Sequence, residues 1–186
     1  MRNTLKKIGV VLVIICIAIG IVNVIKVTKS GLYYTRYNCN ELEDNLEIRK
    51  NAQKWARIDK NNSLTLYDVE GEKKAEIGDS RVINTEFSNG IYLDGKFRYD
   101  IEVLFDLYGE IIKLYDGEEM IAMFTFEEGE YKGALYDKDG KIMAIYEPRY
   151  QTDEYIIRIK NNSKIQHEVI VTAFSLYYMN YQLYNN

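Results

Sequence analysis

The chain has 186 residues, with 24 Lys and Arg against 28 Asp and Glu, two cysteines and one histidine. Residues 1–29 hold Arg2, Lys6, Lys7, Lys26 and Lys29 and no acid, which leaves a net charge of −9 on residues 30–186. That balance excludes a nucleic-acid interface, which needs clustered Lys and Arg on phosphates, and so few Cys and His exclude a closed zinc site.

The first predicted element is a membrane anchor. Residues 8–22 carry no charge, and residues 8–27 reach the roughly 20 residues that cross a bilayer as a helix. A cleaved signal peptide is the rival, but no small-x-small cleavage site follows the apolar run. The expected partner of residues 8–27 is therefore the lipid bilayer, with residues 1–28 forming a single-pass signal-anchor and its short basic N-terminus. Both flanks are basic, and the preferred orientation puts the N-terminus in the cytoplasm and the rest of the chain on the extracytoplasmic side of the cell membrane. Cys16 falls inside the span and Cys39 beyond it, so the two are not expected to pair, and Cys39 should report the side of the membrane to a thiol reagent.

Residues 29–59 are expected to form a juxtamembrane helical stalk. Asn40 stands as N-cap with Glu43 three residues on, the acids Glu41, Glu43 and Asp44 come early, and the bases Arg49, Lys50, Lys54 and Arg57 come late, as a helix dipole prefers. Leu42, Leu46, Ala52 and Trp55 make only a broken apolar stripe.

From residue 60 onward the pattern becomes alternation and turns. Leu66-Tyr67-Asp68-Val69-Glu70-Gly71, Leu104-Phe105-Asp106-Leu107-Tyr108-Gly109 and Leu135-Tyr136-Asp137-Lys138-Asp139-Gly140 share one form, Leu-aromatic-Asp-x-x-Gly, each followed by an apolar strand. Asp at the first turn position can accept from turn amides and Gly can supply a positive φ, so Asp68, Gly71, Asp106, Gly109, Asp137 and Gly140 read as structural turn residues of tight hairpins. A calcium loop at Asp137 is the alternative, but Gly140 comes fourth where an EF-hand needs Gly sixth. Further turns are expected at Asn89-Gly90, Asp94-Gly95 and Asp116-Gly117, giving about nine to eleven strands. Spacing between the copies is too irregular for a propeller or solenoid.

The chain then predicts a strand over Glu154 to Ile159, a capping box from Ser163 to Gln166, and a helix running to Met179 that is apolar or weakly polar on every face. Such a helix must be buried, yet it is too short to span a membrane, so it is expected to form the core of the strands. The β-branched run Val169, Ile170, Val171, Thr172 leaves a buried strand as the alternative. His167 is expected on the helix surface. The fold class is thus mainly β: an antiparallel, barrel-like sheet of repeated hairpins around a C-terminal hydrophobic helix, with residues 60–186 as the β-rich soluble domain after the transmembrane helix.

Hairpins of the Tyr-Asp-x-x-Gly kind, then Tyr155-Ile156-Ile157-Arg158-Ile159 and the helix from Ser163 to Met179, resemble the tubby C-terminal-like fold, which includes the LURP-one-related proteins. The resemblance covers about residues 55–183 and implies a closed antiparallel barrel around a hydrophobic helix. It also implies lipid binding through surface bases, which tubby domains direct at phosphoinositides. Here the sequence departs from the pattern, since no headgroup-binding Lys or Arg matches by position; Arg81, Lys96 and Arg98 flank the middle hairpins as ordinary solvated bases.

No nucleophile-base pair, Gly-rich phosphate loop or metal cluster is legible, so no catalytic, cofactor-binding or metal residues are expected, and the paired acids Glu118-Glu119 and Glu127-Glu128 read as solubilising turn residues. The expected function is a membrane-tethered, non-enzymatic binding or scaffold module. Its 17 tyrosines offer contact points to a protein partner, though strand propensity explains them equally. Lipid binding or handling at the bilayer surface is the alternative, and an enzyme of unknown type comes last.

Overall fold

The structure is a computed structural model that describes residues 34–42, 45–59, 64–79, 88–106, 109–127, 132–149, 152 and 154–185. The expected anchor at residues 8–27 lies outside them, and among the described residues no helix is long and apolar enough to cross a membrane. The chain divides into two units, Met1–Tyr34 and Thr35–Asn186.

Within the second unit, twelve strands close into an antiparallel barrel in which each strand pairs with the next in sequence and the last returns to the first. They are β1 (Tyr34–Glu41), β2 (Asn45–Lys50), β3 (Gln53–Asp59), β4 (Thr65–Asp68), β5 (Lys73–Asp79) and β6 (Ser88–Leu93). The ring continues with β7 (Lys96–Asp106), β8 (Gly109–Asp116), β9 (Glu119–Glu127), β10 (Lys132–Asp137), β11 (Ile142–Pro148) and β12 (Glu154–Lys160), and the chain ends in α1 (His167–Asn185).

The helical stalk expected over residues 40–59 is instead part of β1, with β2 and β3, so the barrel begins well before residue 60. The reason is a period of two. Tyr37 and Cys39, Leu46 and Ile48, and Ala56 and Ile58 all point into the core while their neighbours face out. The helix-like charge order serves ion pairs on the sheet instead: Glu47 takes Arg49, two residues along β2, at 2.7 Å and Lys54, across on β3, at 3.5 Å. Asn51 and Ala52 turn the chain with φ of 50° and 67°, a primed hairpin turn without glycine. These early strands raise the total beyond the nine to eleven expected.

Asn89-Gly90 is not a turn either. Both lie inside β6, where Gly90 pairs with Gly78 and Asp100. A β-carbon on Gly90 would sit 2.6 Å from the Asp79 carbonyl oxygen, so the glycine serves close backbone approach.

Alternation sorts the wall cleanly. Inward positions such as Ile91, Ile101, Ile112, Leu114, Phe124 and Leu135 are fully buried. Outward positions carry ion pairs, including Lys113–Glu102 at 3.6 Å and Arg158–Glu147 at 2.8 Å. A barrel that spans a bilayer has the opposite polarity, apolar outside and polar within.

The interior is filled by α1. Val169, Ile170, Val171, Ala173 and Phe174 have no exposed surface, although they occupy every side of the helix. Phe174 meets Phe124 edge-on at 4.6 Å and stacks on Tyr146 at 5.2 Å. The two buried hydroxyls on this stretch bond back to the helix, Thr172 to the Glu168 carbonyl at 2.7 Å and Ser175 to that of Val171 at 2.8 Å. A closed wall offers no free edge, so a segment inside it must satisfy its own backbone, and the helix prevails over the strand that the β-branched run allowed. The helix starts at His167, later than the expected capping box: Ser163 is spent on a local turn with Ile165, and Gln166 accepts the first helical bond from Ile170.

Candidate functional site

The turn residues close hairpins at both ends of the barrel. Asp68 accepts from the Glu72 amide and Asp137 from the amides of Asp139 and Lys141, while Gly71 and Gly140 take φ of 87° and 75°. Asp106 faces Gly109 directly across β7 and β8, with residues 107–108 between them outside the described residues. In a ring of sequential hairpins, the connections β2–β3, β4–β5, β6–β7, β8–β9 and β10–β11 share an end, and the β12–α1 connector joins them there.

At that end the β8–β9 and β10–β11 turns and the β12–α1 connector enclose a cleft of about 580 Å³. Its apolar floor includes Met143, Ile142 and Ile165. On one side the charges are already matched: Lys138 donates to Glu119 at 2.6 Å, holding that carboxyl below its usual range, and Arg98 lies 4.0 Å from Asp116 and 4.7 Å over the Tyr99 ring. On the other side stand Lys141, Lys160 and Lys164, none of which has an acidic partner within 4.0 Å among the described residues. Of the three bases noted in the sequence, Arg98 lines this cleft, Lys96 sits exposed at the head of β7, and Arg81 lies outside the described residues.

The three lysines carry no local signal. Lys160 and Lys164 flank one connector, β12–α1, while Lys141 comes from the β10–β11 turn some twenty residues earlier, and the pairing of β11 with β12 brings it to the same end.

The groups that chemistry would use sit elsewhere. Cys39 is fully buried, and burial pushes its thiol well above the ordinary range, so it is neither a nucleophile nor the accessible reporter expected from the sequence. Tyr155 places its hydroxyl 2.9 Å from the Ser175 hydroxyl in the same interior. His167 is half-buried, with Nδ1 at 2.6 Å from the Tyr37 hydroxyl. Burial raises the Tyr37 phenol, helped by the nearby charge of Glu168, so the phenol keeps its proton and donates to a neutral imidazole. Many tyrosines are likewise core residues: Tyr37, Tyr99, Tyr146, Tyr155, Tyr177 and Tyr178 are buried. Among the described residues no group of His, Cys, Asp and Glu could hold a metal ion.

The imidazole gives a pH prediction. Burial, then the Lys50 charge, lowers the His167 pKa below its ordinary 6.5, with Glu168 opposing. Because the unfolded chain takes up this proton first, the stability His167 contributes is complete above pH 6.5 and is lost as pH falls from there toward the folded value. Urea titrations at pH 7.5 and 5.5 should show a smaller pH-dependent loss in His167→Gln than in the native chain. An identical loss in both would rule out the imidazole as a source of the effect.

No protein-family model matches the chain, and no curated protein matches it. Among solved structures, the chain is similar to an X-ray structure of a protein from Arabidopsis thaliana, with a TM-score of 0.57 and 11% identity, over 77% of this chain and 89% of that one. At that identity the likeness shows the closed-barrel fold alone.

Proposed function

We propose that this chain is a membrane-tethered, non-enzymatic binding or scaffold module whose barrel is of the tubby C-terminal-like, LURP-one-related kind. The observation that carries the binding reading is the filled interior: α1 occupies the space where a barrel would otherwise hold a small ligand, so recognition falls to the outer surface and its cleft. The closed antiparallel barrel around one hydrophobic helix supports the tubby-like reading. Among the described residues, a buried thiol, an imidazole engaged by Tyr37 and acids matched at turns leave no nucleophile beside a base, which supports a non-enzymatic role. Lipid binding at the bilayer surface is the second reading, favoured by the three unmatched lysines.

The anchored, extracytoplasmic placement is tested with Leu42, which is 49% exposed at the β1–β2 turn. In a Cys16→Ala background, Cys39 should resist a membrane-impermeant maleimide until the protein is denatured. Leu42→Cys in the same background should label in intact cells. Labelling only after permeabilisation would put the barrel in the cytoplasm. Release of the full chain by carbonate washing would refute the tether. For the binding role, a photo-crosslinking side chain at position 160 in cells should give protein-sized adducts that one at position 54 does not. Lipid adducts alone would move the second reading to the front, and no adduct of either kind at position 160 would count against a ligand surface at this end.

A further inference from the structure

We propose that the cleft at the β12–α1 end takes a short acidic segment of a protein partner, an extended stretch with two or three carboxylates around one apolar side chain. The inference rests on the binding-module reading and names its partner. Charge comes first. In a region of net charge −9, this cleft carries five bases, Arg98, Lys138, Lys141, Lys160 and Lys164, against four acids. Of those acids, Glu119 and Asp116 face their own bases and Asp137 is held by turn amides. Setting the two matched pairs aside leaves Lys141, Lys160 and Lys164 against Asp137 and Asp139, an excess of one positive charge in a region that is otherwise acidic.

Size and floor then decide what kind of anion fits. The volume of about 580 Å³ lies within the ~300–1,000 Å³ of sites that bury an organic ligand, and one water occupies only about 30 Å³ of liquid. A lone phosphate, a few waters in size, would leave most of the cleft empty and would make no use of Ile142, Met143 and Ile165 on its floor. Ile142 is also 36% exposed, an unusual solvent contact for a large apolar side chain on this barrel. A segment of roughly four residues fills such a volume, lays one apolar side chain on the floor and brings carboxylates to the lysines, while Asn162 on the connector offers hydrogen bonds to its backbone.

The test uses the full chain in nanodiscs of neutral phosphatidylcholine and a fluorescent peptide of Asp and Glu around one Leu, read by anisotropy at low and physiological salt. The expected result is saturable, salt-weakened binding that falls about tenfold or more when Lys141, Lys160 and Lys164 are all changed to Gln. Lys54, Arg57 and Lys132 changed to Gln together should leave it within about twofold, since those exposed bases lie away from the cleft. Unchanged affinity in the cleft variant would overturn the proposal and leave the binding-module reading intact. Lysine-dependent binding of short-chain phosphatidylserine with no peptide binding would overturn it in favour of a lipid headgroup. Binding of neither probe, with native unfolding curves for all variants, would overturn it as well, and the crosslinks at position 160 would then decide the wider reading separately.

Discussion

Phe174→Ala is expected to destabilise the barrel by about 3–5 kcal/mol, near the whole stability of many domains, and to leave a poorly folded chain at ambient temperature. Phe174 has no exposed surface and is the ring on which β9 and β11 converge: Phe124 and Phe126 reach it edge-on at 4.6 Å and 6.0 Å, and Tyr146 stacks on it at 5.2 Å. Its neighbours belong to the barrel wall, which hydrogen bonds hold in register, so they cannot move inward to refill the space. Urea unfolding followed by tyrosine fluorescence measures the loss. Val69→Ala, at a position 54% exposed in the β4–β5 turn, is the control and should stay within about 0.5 kcal/mol. A loss below about 1 kcal/mol for Phe174→Ala would mean that the helix does not fill the barrel.

Gly133→Val comes next, with an expected cost of about 2–4 kcal/mol, combining overpacking with the loss of a ring stack. Gly133 sits directly between Phe126 on β9 and Tyr146 on β11. The Phe126 ring lies over the bare backbone of Gly133, so any β-carbon there collides with it, and the Thr125 carbonyl oxygen is only 3.2 Å away. Phe126 has nowhere to retreat, being stacked on Tyr177 at 3.3 Å and flanked by Tyr146 at 5.9 Å. An aromatic ring covering a strand glycine stabilises what the glycine would otherwise loosen. Phe126→Leu should therefore be costly alone yet less costly in the Gly133→Val background, giving a favourable coupling in a double-mutant cycle. Strict additivity of the two changes would show that the ring contact is not the source.

Much of this architecture could be read directly where a few adjacent residues decide the outcome. Asp137, Gly140 and the two residues between them contain a turn's whole chemistry, and the run Val169 to Phe174 is apolar on so many sides that only an interior could accept it. The misreading of residues 40–59 has a physical cause. The acids-before-bases order that suits a helix dipole is here used by ion pairs along β2 and across to β3, and the alternation Leu46, Ile48 then Ala56, Ile58 is interrupted by Asn51-Ala52, a turn without the glycine that usually marks one. Asn89-Gly90 misled for the converse reason: its glycine answers crowding from Asp79, a neighbour supplied by the sheet and invisible to local sequence. The lysine wall was not legible, because Lys141 joins Lys160 and Lys164 only once β11 pairs with β12.

The order of strands around that ring also governs how it is made. Every pairing but one joins consecutive strands and can form as a local hairpin, whereas β1 must wait for β12, and Thr35 meets Asn161 across a separation of 126 residues. Loop-closure entropy grows slowly with length, but a contact of this range still arrives late in folding. During synthesis, β1 leaves the ribosome first and holds one row of unpaired backbone groups until the last strand emerges, roughly six to twenty-four seconds later at ordinary translation rates. Through that interval the nascent chain is an open sheet with a sticky margin, and the completion of a single seam turns it into a particle that no longer offers an edge to its neighbours.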